Sequence, residues 1–153
     1  MWNRLLDDVV ACGCYTAEQA GTLRAAYERH RAHFRRPVEP HLLHMDIWAE
    51  NILVDERGHL SGLVDFDRAL WGDPEIEFAV LDYCGLSQPP FWAGYGRQRD
   101  TSPAAQIRQR FYLLYELQKH MPIAVWRFHD PAGAAGYHAQ ALALAEPLLS
   151  ETA

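Results

Sequence analysis

The stretch HMDIWAENILVDERGHLSGLVDFD, residues 44–67, constrains the fold of this 153-residue chain more than any other. Two runs rich in branched aliphatic residues, 51–55 and 60–65, are separated only by ERGH. Such runs on either side of a polar turn are predicted to pair as β-strands, and Gly58 can supply the positive backbone angle of a tight loop. With the fold-back centred on Gly58, Asn51 and Asp65 each lie seven residues from the centre and face one another. Directly opposed residues share a face, with Cβ atoms about 4.5–5.5 Å apart. The hairpin is therefore expected to present an amide and a carboxylate side by side at its open end. A slip of one residue would turn one of them to the other face.

Helices are expected around this hairpin. Trp2, Leu5, Leu6, Val9 and Val10 recur at helical spacing up to Gly13. Thr16 and Gln19 have the form of a capping box, opening a helix with Ala20, Leu23, Tyr27, His30 and Phe34 on one face. Pro37 and Pro40 then end helicity and lead into the short extended segment HLLH. Asp73 and Pro74 are a predicted N-cap and first helical residue, with Gly85 as the stop. An aromatic-rich loop follows, with at most a helical turn. Ser102 and Pro103 open a long helix that Pro122 should break or kink, and an alanine-rich helix runs from Asp130–Pro131 to about Leu149. The predicted fold class is mainly α with a central β-hairpin (α+β). It is read as one domain over 1–153: helical over 1–36, the hairpin and its loop over 41–67, helical over 73–153.

Composition narrows the function. Fourteen Lys and Arg against twenty Asp and Glu give a net charge of -6, which disfavours a nucleic-acid partner. The three cysteines, Cys12, Cys14 and Cys84, show no paired CxxC spacing, which fits a reducing, cytoplasmic compartment. No stretch of about eighteen apolar residues is present, so no membrane span is expected.

The chemistry lies at the ends of the hairpin. Opposed oxygens at Asn51 and Asp65 would suit shared coordination of Mg²⁺, which takes oxygen ligands at about 2.0–2.1 Å. Asp46 precedes the first strand, and His44-x-Asp46-x-x-x-x-Asn51 has the catalytic-loop spacing of protein-kinase-type phosphoryl transfer. There a carboxylate accepts a hydrogen bond from the attacking hydroxyl while an asparagine holds a metal on the phosphates. Asp65 in VDFD then stands where a second metal ligand is needed.

Taken together, LLHMDIWAENILVD, the hairpin, and LSGLVDFDRALWGDPEIEFA resemble the aminoglycoside phosphotransferase and choline kinase family. The flanking helices also fit the helical, substrate-binding lobe of such kinases, so the resemblance extends over essentially the whole chain. It implies a protein-kinase-like fold and transfer of the γ-phosphoryl of ATP or GTP to a hydroxyl of a small molecule, an aminoglycoside-like compound among the candidates, with Mg²⁺ as cofactor. By resemblance Asp46 is the catalytic base, His44 braces the loop, and Asn51 and Asp65 are the Mg²⁺ and nucleotide-phosphate ligands. The chain departs from the family pattern at Met45, where a glycine is frequent, and at Glu77, where many members have Asp. Glu77 is expected to serve as a salt-bridge or hydrogen-bond partner, with Arg68 one candidate. Asp67 either supports the metal site or faces solvent.

No glycine-rich loop, strand lysine or glutamate partner for it precedes these motifs. The resemblance therefore implies a C-terminal lobe without its N-terminal β-rich lobe, truncated or partial, with little or no activity alone unless that lobe is supplied in cis or in trans. Two other readings stand beside it: a catalytically silent kinase-like remnant or binding module, and, through the His44-x-Asp46 pair, a mononuclear iron oxygenase.

Overall fold

In chain order, helices α1 (Trp2–Ala11) and α2 (Ala17–His30) precede four short strands, β1 (His41–Leu43), β2 (Ile52–Val54), β3 (Leu60–Leu63) and β4 (Leu70–Gly72). Helices α3 (Pro74–Tyr83), α4 (Pro89–Tyr95), α5 (Pro103–Pro122) and α6 (Pro131–Ser150) follow. The computed structural model describes residues 1–150. They form two compact units, one of residues 1–36 with those from Ser102 on, the other Pro37–Thr101.

The first unit is all helix. The spacing in α1 buries Leu5, Leu6 and Val9. The capping box at α2 is complete: Thr16 Oγ1 accepts from the Gln19 N–H, and the Gln19 side chain accepts from the Thr16 N–H. Phe111 of α5 is the hub of the aromatic packing, within 5.6–5.8 Å of Trp2, Tyr27, His30 and Phe34. Small buried residues on α6, Ala134, Ala141 and Ala145, leave room for it to lie against α5. The α-helical winding of α5 ends at Pro122, and the chain passes into a π-helical turn over Ile123–Arg127, closed by the Phe128 N–H on the Ile123 carbonyl at 3.2 Å. Wider winding is one way a helix absorbs the hydrogen bond that proline cannot make.

The second unit holds two antiparallel pairs where the sequence suggested one hairpin. β2 pairs with β3, and HLLH does become a strand, β1, paired with β4 in the register His41↔Gly72, Leu42↔Trp71, Leu43↔Leu70. β4 lies in RALWGD, where no alternation or turn signal marked it. Leu43, Met45 and Val80 form this unit's core, with Leu70 and Ile76 packed against them. Asp73 caps α3 by accepting from the Glu75 N–H. The aromatic loop contains a full helix, α4. Trp92 and Tyr95 pack on Phe78 of α3, and the Arg99 guanidinium lies over Phe78 and Trp92 while gripping Asp82 at 2.6 and 2.7 Å.

Candidate active site

The site is assembled where β1 ends. Beyond Leu43 the chain must turn sharply, and Met45 does so in the left-handed region at φ 65. A non-glycine residue rarely adopts that conformation unless its surroundings enforce it. Two contacts do so here. The Met45 side chain is buried in the core, and its N–H donates to Glu77 Oε1 of α3 at 2.7 Å. Glu77 thus serves as a hydrogen-bond partner, and the group it holds is the backbone of the turn before Asp46. The departure from glycine at position 45 falls at the one point of the loop where glycine would be free of strain.

Asp46 follows this turn, half-buried, with both carboxylate oxygens engaged. Arg68 Nη1 donates to Oδ1 at 2.7 Å, and Asn51 Nδ2 donates to Oδ2 at 3.2 Å and to the Asp46 carbonyl at 2.9 Å. Asn51 is itself buried, at the end of a 3₁₀ turn over Ala49–Asn51 that brings it back beside Asp46. Because its NH₂ group is spent on Asp46, its amide oxygen is turned away from that residue. Sequence reasoning did not assign Arg68 to Asp46. The available signal was its position three residues beyond Asp65, on the strand exit that returns to the loop.

His44 ties the loop to that exit. Its Nε2 lies 2.8 Å from the Val64 carbonyl, which can only accept, so Nε2 carries the proton. The ring packs on Phe66 with centroids 4.2 Å apart. Its Nδ1 is buried with no hydrogen-bond partner among the described residues. Through this bond and this packing the imidazole is fixed between the two segments. Among the described residues no three His, Cys, Asp or Glu side chains converge as a metal cluster, so the triad an oxygenase needs is not assembled there.

The hairpin register corrects the expected pairing of Asn51 with Asp65. Ile52 faces Leu63, and the Val64 N–H donates to the Asn51 carbonyl at 3.1 Å, so Asn51 stands opposite Val64. The cause is local. Gly58 is not the centre of the loop but its last residue, at φ 79, and Asp55 pairs with His59 across a three-residue connection. This three-residue connection, closed by a left-handed glycine, moves the centre to Arg57. An irregularity between Leu53 and Val54 then shifts the ladder once more. Asp55 holds the loop by accepting from the N–H groups of Arg57 and His59. The His59 N–H contributes most to keeping that carboxyl below the usual carboxylate range.

Asp65 therefore lies one residue beyond the partner of Asn51, exposed, and in the left-handed region at φ 65. Strand alternation has ended there, so its side chain is not bound to either face of the ladder. The donor set still fits Mg²⁺: an amide oxygen whose NH₂ group is pinned elsewhere, and an exposed carboxylate one residue from the opposed position. Asp67 is exposed.

Largely helical with two small antiparallel sheets, the chain has a protein-kinase-like fold. It superposes on a thermostable aminoglycoside phosphotransferase in its apo form with a TM-score of 0.65 and 18% identity, over 91% of this chain and 48% of that one. The chain belongs to the fructosamine kinase family, whose profile matches residues 10–132. It is 35% identical over 83 residues to a probable ketoamine kinase of Vibrio parahaemolyticus, covering 54% of this chain and 27% of that protein. It is 34% identical over 84 residues to a probable ketoamine kinase of Lactiplantibacillus plantarum, covering 55% and 29%. It is 30% identical over 84 residues to the mouse ketosamine-3-kinase, covering 54% and 26%. The matched segments thus span little more than a quarter of these relatives. The aminoglycoside phosphotransferase likeness is one of fold, and the sequence family is a related one. No helix among the described residues is long and apolar enough to cross a membrane.

Proposed function

We propose that this chain carries the catalytic loop and metal-holding hairpin of a small-molecule kinase, which transfers the γ-phosphoryl of ATP to a hydroxyl of a ketoamine. Family membership supports the reaction class, and the names of the relatives support the acceptor. The observation that carries the reading is the clamped carboxylate. Asp46 is fixed by Arg68 on one oxygen and Asn51 on the other. Each oxygen keeps a lone pair with which to orient an acceptor hydroxyl and take its proton. His44 holds the loop to the strand exit, so that Asp46 and Asp65 keep their spacing. Asn51 and Asp65 are the residues that would hold Mg²⁺. The ion, when bound, neutralises the charge that develops on the phosphates.

The test compares Mg²⁺-dependent phosphorylation of a fructosamine by protein containing this chain with that by its Asp46→Asn variant. Loss of a general base is expected to lower kcat by about 10²–10⁴-fold. A variant that keeps kcat within about twofold overturns the assignment of Asp46. Mn²⁺ as a paramagnetic substitute should broaden the amide signals of Asn51 and Asp65. Broadening centred elsewhere would remove those two from the metal site.

A further inference from the structure

In the helical unit, the turn between α1 and α2 brings two thiols together. Cys12 caps α1 in right-handed helical geometry, and Gly13 follows in the left-handed region at φ 81. The chain therefore curls back, and the Cys14 N–H donates to the Val9 carbonyl at 3.1 Å. Glycine is what permits this reversal without strain. It leaves the side chains on either side of Gly13 as neighbours. The Cys14 thiol lies close enough to that of Cys12 for the two to interact, and the Cys12 Sγ donates to the Val9 carbonyl at 3.2 Å. Both line a cavity of about 410 Å³ whose other walls include Val125, Pro131, Ala134 and His138. The Nε2 of His138 is buried with no hydrogen-bond partner among the described residues.

We propose that Cys12 and Cys14 form a two-thiolate site for a soft monovalent d¹⁰ cation of the Cu(I) or Ag(I) class. Thiolates select such ions, and a closed-shell monovalent ion is satisfied by two sulfurs. A structural zinc site would need four ligands, and among the described residues not even three His, Cys, Asp or Glu side chains converge. The side chains of Val125, Pro131 and Ala134 carry no oxygen to offer a hard cation. Binding replaces two S–H bonds with two metal–sulfur bonds and releases two protons for each ion taken up. The inference is independent of the phosphotransferase reading.

The experiment titrates the reduced full chain, without oxygen, with Cu(I) buffered by a chromogenic chelator. Wild type and Cys84→Ser should each take one ion per chain. Cys12→Ser and Cys14→Ser, with unchanged circular dichroism, should each bind more weakly by about tenfold or more. X-ray absorption on the wild-type complex should show sulfur neighbours only. Uptake undiminished in both Cys12→Ser and Cys14→Ser, uptake abolished by Cys84→Ser, or a shell of nitrogen and oxygen without sulfur would each overturn the proposal.

Discussion

Arg68 Nη1 sits 2.7 Å from Asp46 Oδ1, joining the strand exit after Asp65 to the loop that follows β1 by a charge-assisted hydrogen bond. Both side chains are about 30% exposed, at 31% and 28%, so the contact is partly screened and its value is geometric more than energetic. With Asn51 on the other oxygen, it fixes the plane of the carboxylate. Arg68→Met keeps bulk and removes the donor. In the phosphotransferase assay it should lower kcat by about 10–100-fold, since misplacing a reacting group by about 1 Å costs that much. KM for ATP should change far less. A kcat equal to wild type would show that Asn51 alone orients Asp46.

Glu77 is expected to matter for folding through a single acceptor. Its Oε1 takes the N–H of Met45, a residue already carrying left-handed strain. Glu77→Ala leaves that N–H unpaired and should cost about 1–3 kcal/mol in urea unfolding. Glu77→Gln keeps a carbonyl oxygen in place and should cost less than about 1 kcal/mol. Equal losses in the two variants would mean that the carboxylate charge, not the hydrogen bond, is what the turn requires.

The hairpin makes a sharper backbone prediction. Nothing lies within 4 Å of a Cβ added at Gly58, so Gly58→Ala meets no steric clash. Its penalty is conformational, about 1–2 kcal/mol for placing an L-residue in the left-handed region. The three-residue connection and the pairing of Asn51 with Val64 depend on that angle. Amide exchange at Val64 should therefore accelerate in the variant. Protection equal to wild type there would place the control of register in the Leu53–Val54 irregularity instead.

Helices were legible in this sequence because their starts are written in short-range chemistry. Thr16 with Gln19, Asp73 with Pro74, and Ser102 with Pro103 each satisfy exposed N–H groups from within four residues, and each cap is present in the structure. The two strand pairs were less legible for two reasons. β1 and β4 are three residues each and find one another across nearly thirty positions, so neither has a local signature. The β2–β3 register hinged on whether Gly58 is the middle or the end of its loop. Composition permits both, and one residue of difference decides which side chains face each other. Polar contacts across such distances were read least well: Arg68 reaches Asp46 over 22 positions and Met45 reaches Glu77 over 32.

The helical unit should lose stability in alkali. Tyr15 is buried, and burial pushes its hydroxyl above the ordinary tyrosine range, against the Gln118 Nε2 that donates to it at 3.1 Å. Cys14, next to it, is raised from 9.0 to about 11, chiefly by burial. Both groups hold their protons more tightly folded than unfolded, so the unfolded chain ionises first as pH rises. The Cys14 contribution is complete below about pH 9 and is lost as pH climbs through about 11, and that of Tyr15 is lost above the ordinary tyrosine range. Urea midpoints measured in reductant at steps from pH 8 to 11 should therefore fall, with a shallower slope in Cys14→Ser and in Tyr15→Phe. Thiol and phenol absorbance should report ionisation in step with unfolding. Midpoints that stay level over this range in the wild type would show that neither proton is held by the fold.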